Sequence, residues 1–274
     1  MFYLNLIINQ LGENFLVKIS TIKNRLKIKT ILKKISVLMF WILIWEFIYI
    51  LVGKDILIAS PLNVLFRICE LIKSCTFWNN VGFSMFRVLL GFILGVLVGT
   101  LLSFATCLSS IARDFLKPVL SIIRATPVAS FIILALVWLK SSMMPVFISM
   151  LMVIPIIWSN ITQGISNTDV KLLEMARIFK FSMISKVKKK YIPSVFPYFT
   201  AACTTALGLS WKAGIAAEVI GNTKKSIGGE IYRSKMYIET VDLFSFTIVV
   251  IILSVVLECI VARFMKYISN KYSF

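Results

Sequence analysis

Apolar residues recur in six long blocks along the chain, separated by short polar stretches. A helix that crosses a bilayer needs about 20 mostly apolar residues. By that measure the pattern predicts crossings over 36–53, 87–107, 118–139, 143–163, 194–220 and 241–265. The second and fourth are the cleanest, because Val88 to Cys107 and Met143 to Thr168 contain no charged residue. The first carries one acid, Glu46, and the sixth carries Glu258 in its interior with Asp242 at its start. The expected fold class is all-α: a polytopic membrane protein of about six transmembrane helices. Between the first two blocks, SPLNVLFRICELIKS places Asn63, Arg67, Glu70 and Ser74 on one helix face and Leu62, Leu65, Ile68, Leu71 and Ile72 on the other. This predicts a short surface helix, with Ser60 as its cap and Pro61 at its first position.

The opening residues follow a different rule. MFYLNLIINQL has no basic region before its apolar residues and no small-residue cleavage site after them, so it reads as an interfacial helix rather than a signal peptide. The domain reading is therefore a basic amphipathic segment over 1–35 and a transmembrane domain over 36–274.

Composition supports the membrane assignment: 59% of the 274 residues are hydrophobic and the mean hydropathy is +0.91, more apolar surface than a soluble domain buries. The net charge of +18 raises the possibility of a nucleic-acid partner, but its placement points to lipid. Lys18, Lys23, Arg25, Lys27, Lys29, Lys33 and Lys34 precede the first crossing, and Lys171, Arg177, Lys180, Lys186, Lys188, Lys189 and Lys190 lie between the fourth and fifth. With six alternating crossings both clusters fall on one side, and the positive-inside rule makes that side the cytoplasm, with both termini there. Anionic headgroups are the expected partner for the excess, not nucleic acid.

Missing chemistry narrows the function further. The chain has no histidine, which excludes histidine-based triads and HExxH zinc sites. No two glycines stand five apart, so a GxxxxGK phosphate loop is absent. Five scattered cysteines lack any Cys-x-x-Cys spacing. No catalytic residue, metal site or bound cofactor is expected, and an intramembrane enzyme is a weak reading.

Several residues within the crossings stand out. Gly91, Gly95 and Gly99 form a small-residue stripe, suited to close helix packing where no hydrophobic drive exists. Pro127 and Pro155 lie inside crossings and can kink them. Arg124 falls in the third crossing, at its cytoplasmic end, where a headgroup anchor and an anion contact are both open. Trp211, Lys212 and Glu218 lie in the fifth. A charge at mid-membrane costs roughly 2.5–3.5 kcal/mol, so it normally faces protein or a watery path. Six residues apart, Lys212 and Glu218 point in different directions, and Glu218 is expected near enough to the outer end to reach water.

The stretch EMARIFKFSMISKVKKKYIP, residues 174–193, reads as two short helices with a break. Asn167, Thr168 and Asp169 offer a first cap and Ser182 a second, while Pro193 and Pro197 mark the entry to the fifth crossing. Leu173, Ala176 and Ile178 give its first helix an apolar face that calls for a partner.

Glu174, Met175 and Ala176, with Pro193 nineteen positions after the glutamate, resemble the EAA loop in permease subunits of ATP-binding cassette importers. Lys180 stands at the usual glycine of that loop and Lys190 at the usual isoleucine. SPLNVL, FSMFRVLLGFILGVLVGTLL, LSIIRATPVASFIIL, LGLSWKAGIAAEVIG and IGGEIYRSKMYIETVDLF are similar, in order, to segments of the nitrate, sulfonate and taurine branch. The resemblance implies the type I importer permease fold and a cytoplasmic coupling loop over 167–193. It also implies a separate cytoplasmic ATPase dimer that uses the ATP, an extracytoplasmic solute-binding protein and a second permease copy. The solute it implies is small and often anionic, such as nitrate, an alkyl sulfonate or taurine, with a thiamine precursor also in range. The alternative class, a stand-alone ion-coupled carrier or channel, predicts inverted repeats and ion-coordinating residues near mid-membrane, and the sequence displays neither.

Overall fold

The computed structural model describes residues 32–168 and 190–272, all of whose regular elements are helices. The chain divides into two compact units, Met1–Asn63 and Val64–Phe274. In the first, helix α1 spans Leu32–Val52 and displays Phe40, Trp41, Leu43, Phe47 and Leu51 on its outside. Such an apolar exterior suits a helix solvated by lipid. Gly53, at φ +60, closes it by returning its amide to the Tyr49 carbonyl, the left-handed helix end that glycine adopts without strain. Trp45 Nε1 then donates to the Ala59 carbonyl at 3.1 Å, pinning the connecting turn to α1.

Helix α2, Pro61–Leu71, runs into the second unit. There Arg67 donates to both oxygens of Asp242, at 2.6 and 2.9 Å, and to Glu70 at 3.0 Å. Those carboxylate partners hold the guanidinium protonated above its ordinary range, Asp242 contributing most.

The bundle proper comprises α3 (Cys75–Leu108), α6 (Met144–Ser166), α7 (Ile192–Ile220) and α9 (Thr240–Tyr272). Helix α3 begins twelve residues before the predicted crossing, which starts at 87, because Cys75 to Phe86 continue the same buried stripe through Phe77, Val81 and Ser84. Its glycines let α6 approach closely: a Cβ at Gly95 would stand 2.6 Å from Val153 Cβ, and one at Gly99 would stand 3.0 Å from the Ile154 carbonyl. Gly91 meets the Val146 carbonyl in the same way. Polar staples fix the register, since Ser103 Oγ donates to the Trp158 carbonyl at 3.2 Å and Trp158 Nε1 donates to Thr106 Oγ1 at 3.0 Å. The third predicted crossing, 118–139, is broken in the structure. It is two helices, α4 (Ser110–Ala125) and α5 (Val128–Ala135), bent by 102°. Pro127 has no amide to carry the helical ladder across the break, so Thr126 turns extended and Pro127 starts α5. Among the described residues five helices are long and apolar enough to cross a membrane, or six if the bent pair is one span.

Candidate functional site

Two charged residues of α7 end in different surroundings. Near its C-terminal end Glu218 is wholly buried, which corrects the expectation that it reaches water. The reason is the chain that follows: it turns at Gly221 and returns as α8, Ile227–Met236, whose first turn covers the carboxylate. Gly228 N donates to Glu218 Oε2 at 3.1 Å and Ser84 Oγ donates to the same atom at 2.7 Å. Arg87 Nη1 lies 3.6 Å from Oε1. A carboxylate at a helix N-terminus also meets the favourable end of the helix dipole. Gly228 is dictated by this fit, because its Cβ would overlap the Cβ of Glu218.

The same contacts tie α8 to α3. Ser84 Oγ accepts from Ile227 N at 2.9 Å, Arg87 donates to the carbonyls of Lys225 and Lys224 at 3.0 and 3.4 Å, and Asn80 donates to Glu230 at 2.6 Å. Ser226 caps α8 by accepting from Gly229 N at 2.9 Å. One buried acid thus organises the whole return of the chain after α7.

Lys212 is placed otherwise. It is exposed, on a face of α7 that it shares with Ala201, Thr205, Leu209 and Ile220. Next to it Trp211, about 100° round the helix, is buried, with Nε1 donating to the Val250 carbonyl of α9 at 3.1 Å. Arg124 sits just before the α4–α5 break rather than at the end of a crossing. It donates to the Pro155 carbonyl and lies 5.9 Å from the Trp158 ring centre, a cation–π distance. Pro127 is exposed at the break itself. Of the five pathway candidates, then, Trp211 and Glu218 are buried against neighbours, while Arg124, Pro127 and Lys212 are open.

The coupling-loop residues Glu174, Met175, Ala176, Lys180 and Ser182 lie outside the described residues. Pro193 is described and occupies the first turn of α7. Both flanks of the loop are tied together. Asn167 Nδ2 donates to Tyr198 Oη at 3.0 Å, and Gly164 faces the Tyr198 ring at 3.0 Å from its would-be Cβ. The segment therefore leaves α6 and re-enters α7 over a clasped base.

Sequence reasoning found Glu218 but not its partners. Arg87 and Ser84 precede it by 131 and 134 positions, respectively, beyond any local pattern. It also left Glu258 unassigned, although an acid in the interior of an apolar crossing was a signal.

Residues 91–273 match the family model for the binding-protein-dependent transport system inner membrane component. The chain is 25% identical over 210 residues to SsuC of Bacillus subtilis, described as an aliphatic sulfonates transport permease, covering 74% of each chain. It is 28% identical over 205 residues to the nitrate import permease NrtB of Synechococcus elongatus, covering 71% of this chain and 73% of that one. In fold it is similar to a crystallised amino acid ABC transporter, at a TM-score of 0.59 and 15% identity over 76% of this chain and 96% of that one.

Proposed function

The chain belongs to the family of binding-protein-dependent transport inner-membrane components, as a multi-pass permease subunit of an ATP-binding cassette importer, and we propose how it is driven and what it carries. ATP is used by a separate cytoplasmic ATPase dimer, whose closure pushes on the 167–193 loop through Glu174 and Ala176. Two permease copies enclose the pathway, an extracytoplasmic binding protein delivers the solute, and both termini face the cytoplasm. The clasp between Asn167 and Tyr198 carries the coupling part of this reading. A loop whose two ends are joined moves α6 and α7 as one lever, whereas a loop on loose ends would absorb the push.

The solute is small and anionic. The sulfonate and nitrate permeases to which the chain is similar favour this, and so does the exposed cation on α7. Alternating access then follows from rigid-body rocking of the helices between inward- and outward-open states. The test is co-purification of the full-length chain with the cassette ATPase. Glu174→Lys is expected to weaken association at least tenfold while the permease still reaches the membrane. Unchanged association and unchanged uptake remove Glu174 from the coupling role. Labelling of the 167–193 loop from outside the cell removes the lever altogether.

A further inference from the structure

Glu258 of α9 lies half-buried with its carboxylate against Gly208 of α7. A side-chain carbon at Gly208 would stand 2.7 Å from Glu258 Oε1, so the absence of one leaves the carboxylate its place on the helix. Gly208 and Lys212 are four residues apart on α7, hence on one face with about 5–6 Å between side-chain roots. Helical side chains lean toward the N-terminus, which tips Lys212 toward the level of Gly208. Helix α9 runs antiparallel to α7, since Val250 meets Trp211 while Glu258 meets Gly208. The Glu258 side chain, leaning back toward Ser254, thus ends beside the lysine's reach.

Neither charge is committed elsewhere. Among the described residues the ion pairs involve Arg67, Arg87 and Arg233, not Lys212 or Glu258. The hydrogen bond to Glu258 comes from Ser254 Oγ at 3.4 Å, a long contact. Lys212 lies one turn along α7 from the glycine that Glu258 faces, and two opposite charges so placed in apolar crossings, in no ion pair among the described residues, have strong reason to meet.

We propose that Lys212 and Glu258 form a displaceable ion pair on the open face of α7, and that a small anionic solute takes the place of the Glu258 carboxylate on Lys212 as it passes. This rests on the permease reading given above. The carboxylate keeps the cation neutralised between solutes. Nitrate and sulfonate groups present the same anionic oxygens to an ammonium, so the exchange needs no new geometry. A lysine suits such exchange: its rotatable point charge changes partners more readily than a forked guanidinium. Glu218, already held by Arg87, Ser84 and Gly228, takes no part.

Two measurements on the full chain, assembled with its ATPase and binding protein, test this. In a variant with the five native cysteines replaced, Lys212→Cys with Glu258→Cys is expected to cross-link within one chain through a short bifunctional maleimide. No link, or a link only between copies, overturns the pair. In proteoliposomes supplied with nitrate or ethanesulfonate, Lys212→Glu is expected to lower import at least tenfold. Adding Glu258→Lys to it is expected to restore import severalfold at equal ATPase association. A swap no better than Lys212→Glu alone, or import confined to neutral or cationic solutes, overturns the exchange. Wild-type chain that fails to bind the ATPase at all is a separate result, which sinks the permease reading rather than the pair.

Discussion

Glu218 and Lys212 share one helix, six residues apart, yet one is sealed and the other open. Around Glu218 each carboxylate oxygen faces a partner from α3 or α8. Around Lys212 the neighbours on its own face are mostly small or apolar and none carries a charge. A charge at membrane depth is tolerated in either setting, but for different reasons. The sealed acid is tolerated because its partners came with the fold. The open lysine is tolerated because its face looks onto something outside the packed core. The first arrangement specifies structure; the second is available for work.

The sealed corner should therefore break hardest. Glu218→Ala strips Arg87 of its counter-charge and leaves Ser84 Oγ and Gly228 N facing a gap, the situation in which buried pairs cost about 3–5 kcal/mol. The expected result is a chain largely lost from the membrane, read by immunoblot and by the melting temperature of the detergent-solubilised complex. Glu218→Gln, which keeps two acceptor contacts, should be milder. Wild-type levels for Glu218→Ala would show that the corner is not structural. Gly228→Ala attacks the same corner from α8. Its methyl must displace the Glu218 Cβ and the Val219 amide, 2.8 Å away, and overpacking of this kind costs about 1–3 kcal/mol. A visible drop in melting temperature without complete loss is expected.

These two residues also mark how far the sequence was legible. Helix number and order follow from apolar blocks, because in lipid every backbone group must be paired within its segment and a helix is the available answer. The break at Pro127 was visible as a residue but not as a 102° bend, since a proline alone does not set how far the flanking helices diverge. Glu218 was conspicuous as an acid in a crossing. Its burial was not, because it depends on α8 folding back, and that return is encoded by Gly228, Ser84 and Arg87 together rather than by any local period. The coupling loop was read from Glu174 to Pro193 as a motif, and of it the structure describes the clasped base alone. Glu258 remained unassigned in the sequence because its neighbour, Gly208, offers no side chain to suggest a contact.

A contact at the rim of the bundle stands between the sealed and open cases. Arg67 and Asp242 are bonded twice, but the Arg67 side chain keeps 38% of its exposure. Exposed pairs contribute about 0.2–1 kcal/mol, so Arg67→Gln should shift the melting temperature slightly. The Arg67 proton is held more tightly in the folded chain than in the unfolded one. A raised folded value means stability fully present below the unfolded value and lost only above it, which for arginine lies beyond about pH 12. Melting curves of wild type and Arg67→Gln should therefore keep a constant separation as far as Arg67 ionisation sets it, from pH 6 to pH 9. A separation that closes toward pH 9 would mean that loss of the Arg67 proton contributes after all.

Lys212→Met is the sharpest test of the contrast because its expected effect on stability is the smallest. The lysine is exposed on α7, and its proposed partner Glu258 is only half-buried and keeps its contact with Ser254, so removing the lysine's charge leaves no wholly buried group unsatisfied. Substitutions of that kind stay within about ±0.5 kcal/mol, and methionine restores an apolar stem of similar length. Membrane level, ATPase association and melting temperature should all match wild type, while anion import falls. If Lys212→Met instead loses stability as Glu218→Ala does, the face of α7 that carries it is packed in the working assembly. The division between a sealed charge and an open one would then collapse into two structural charges.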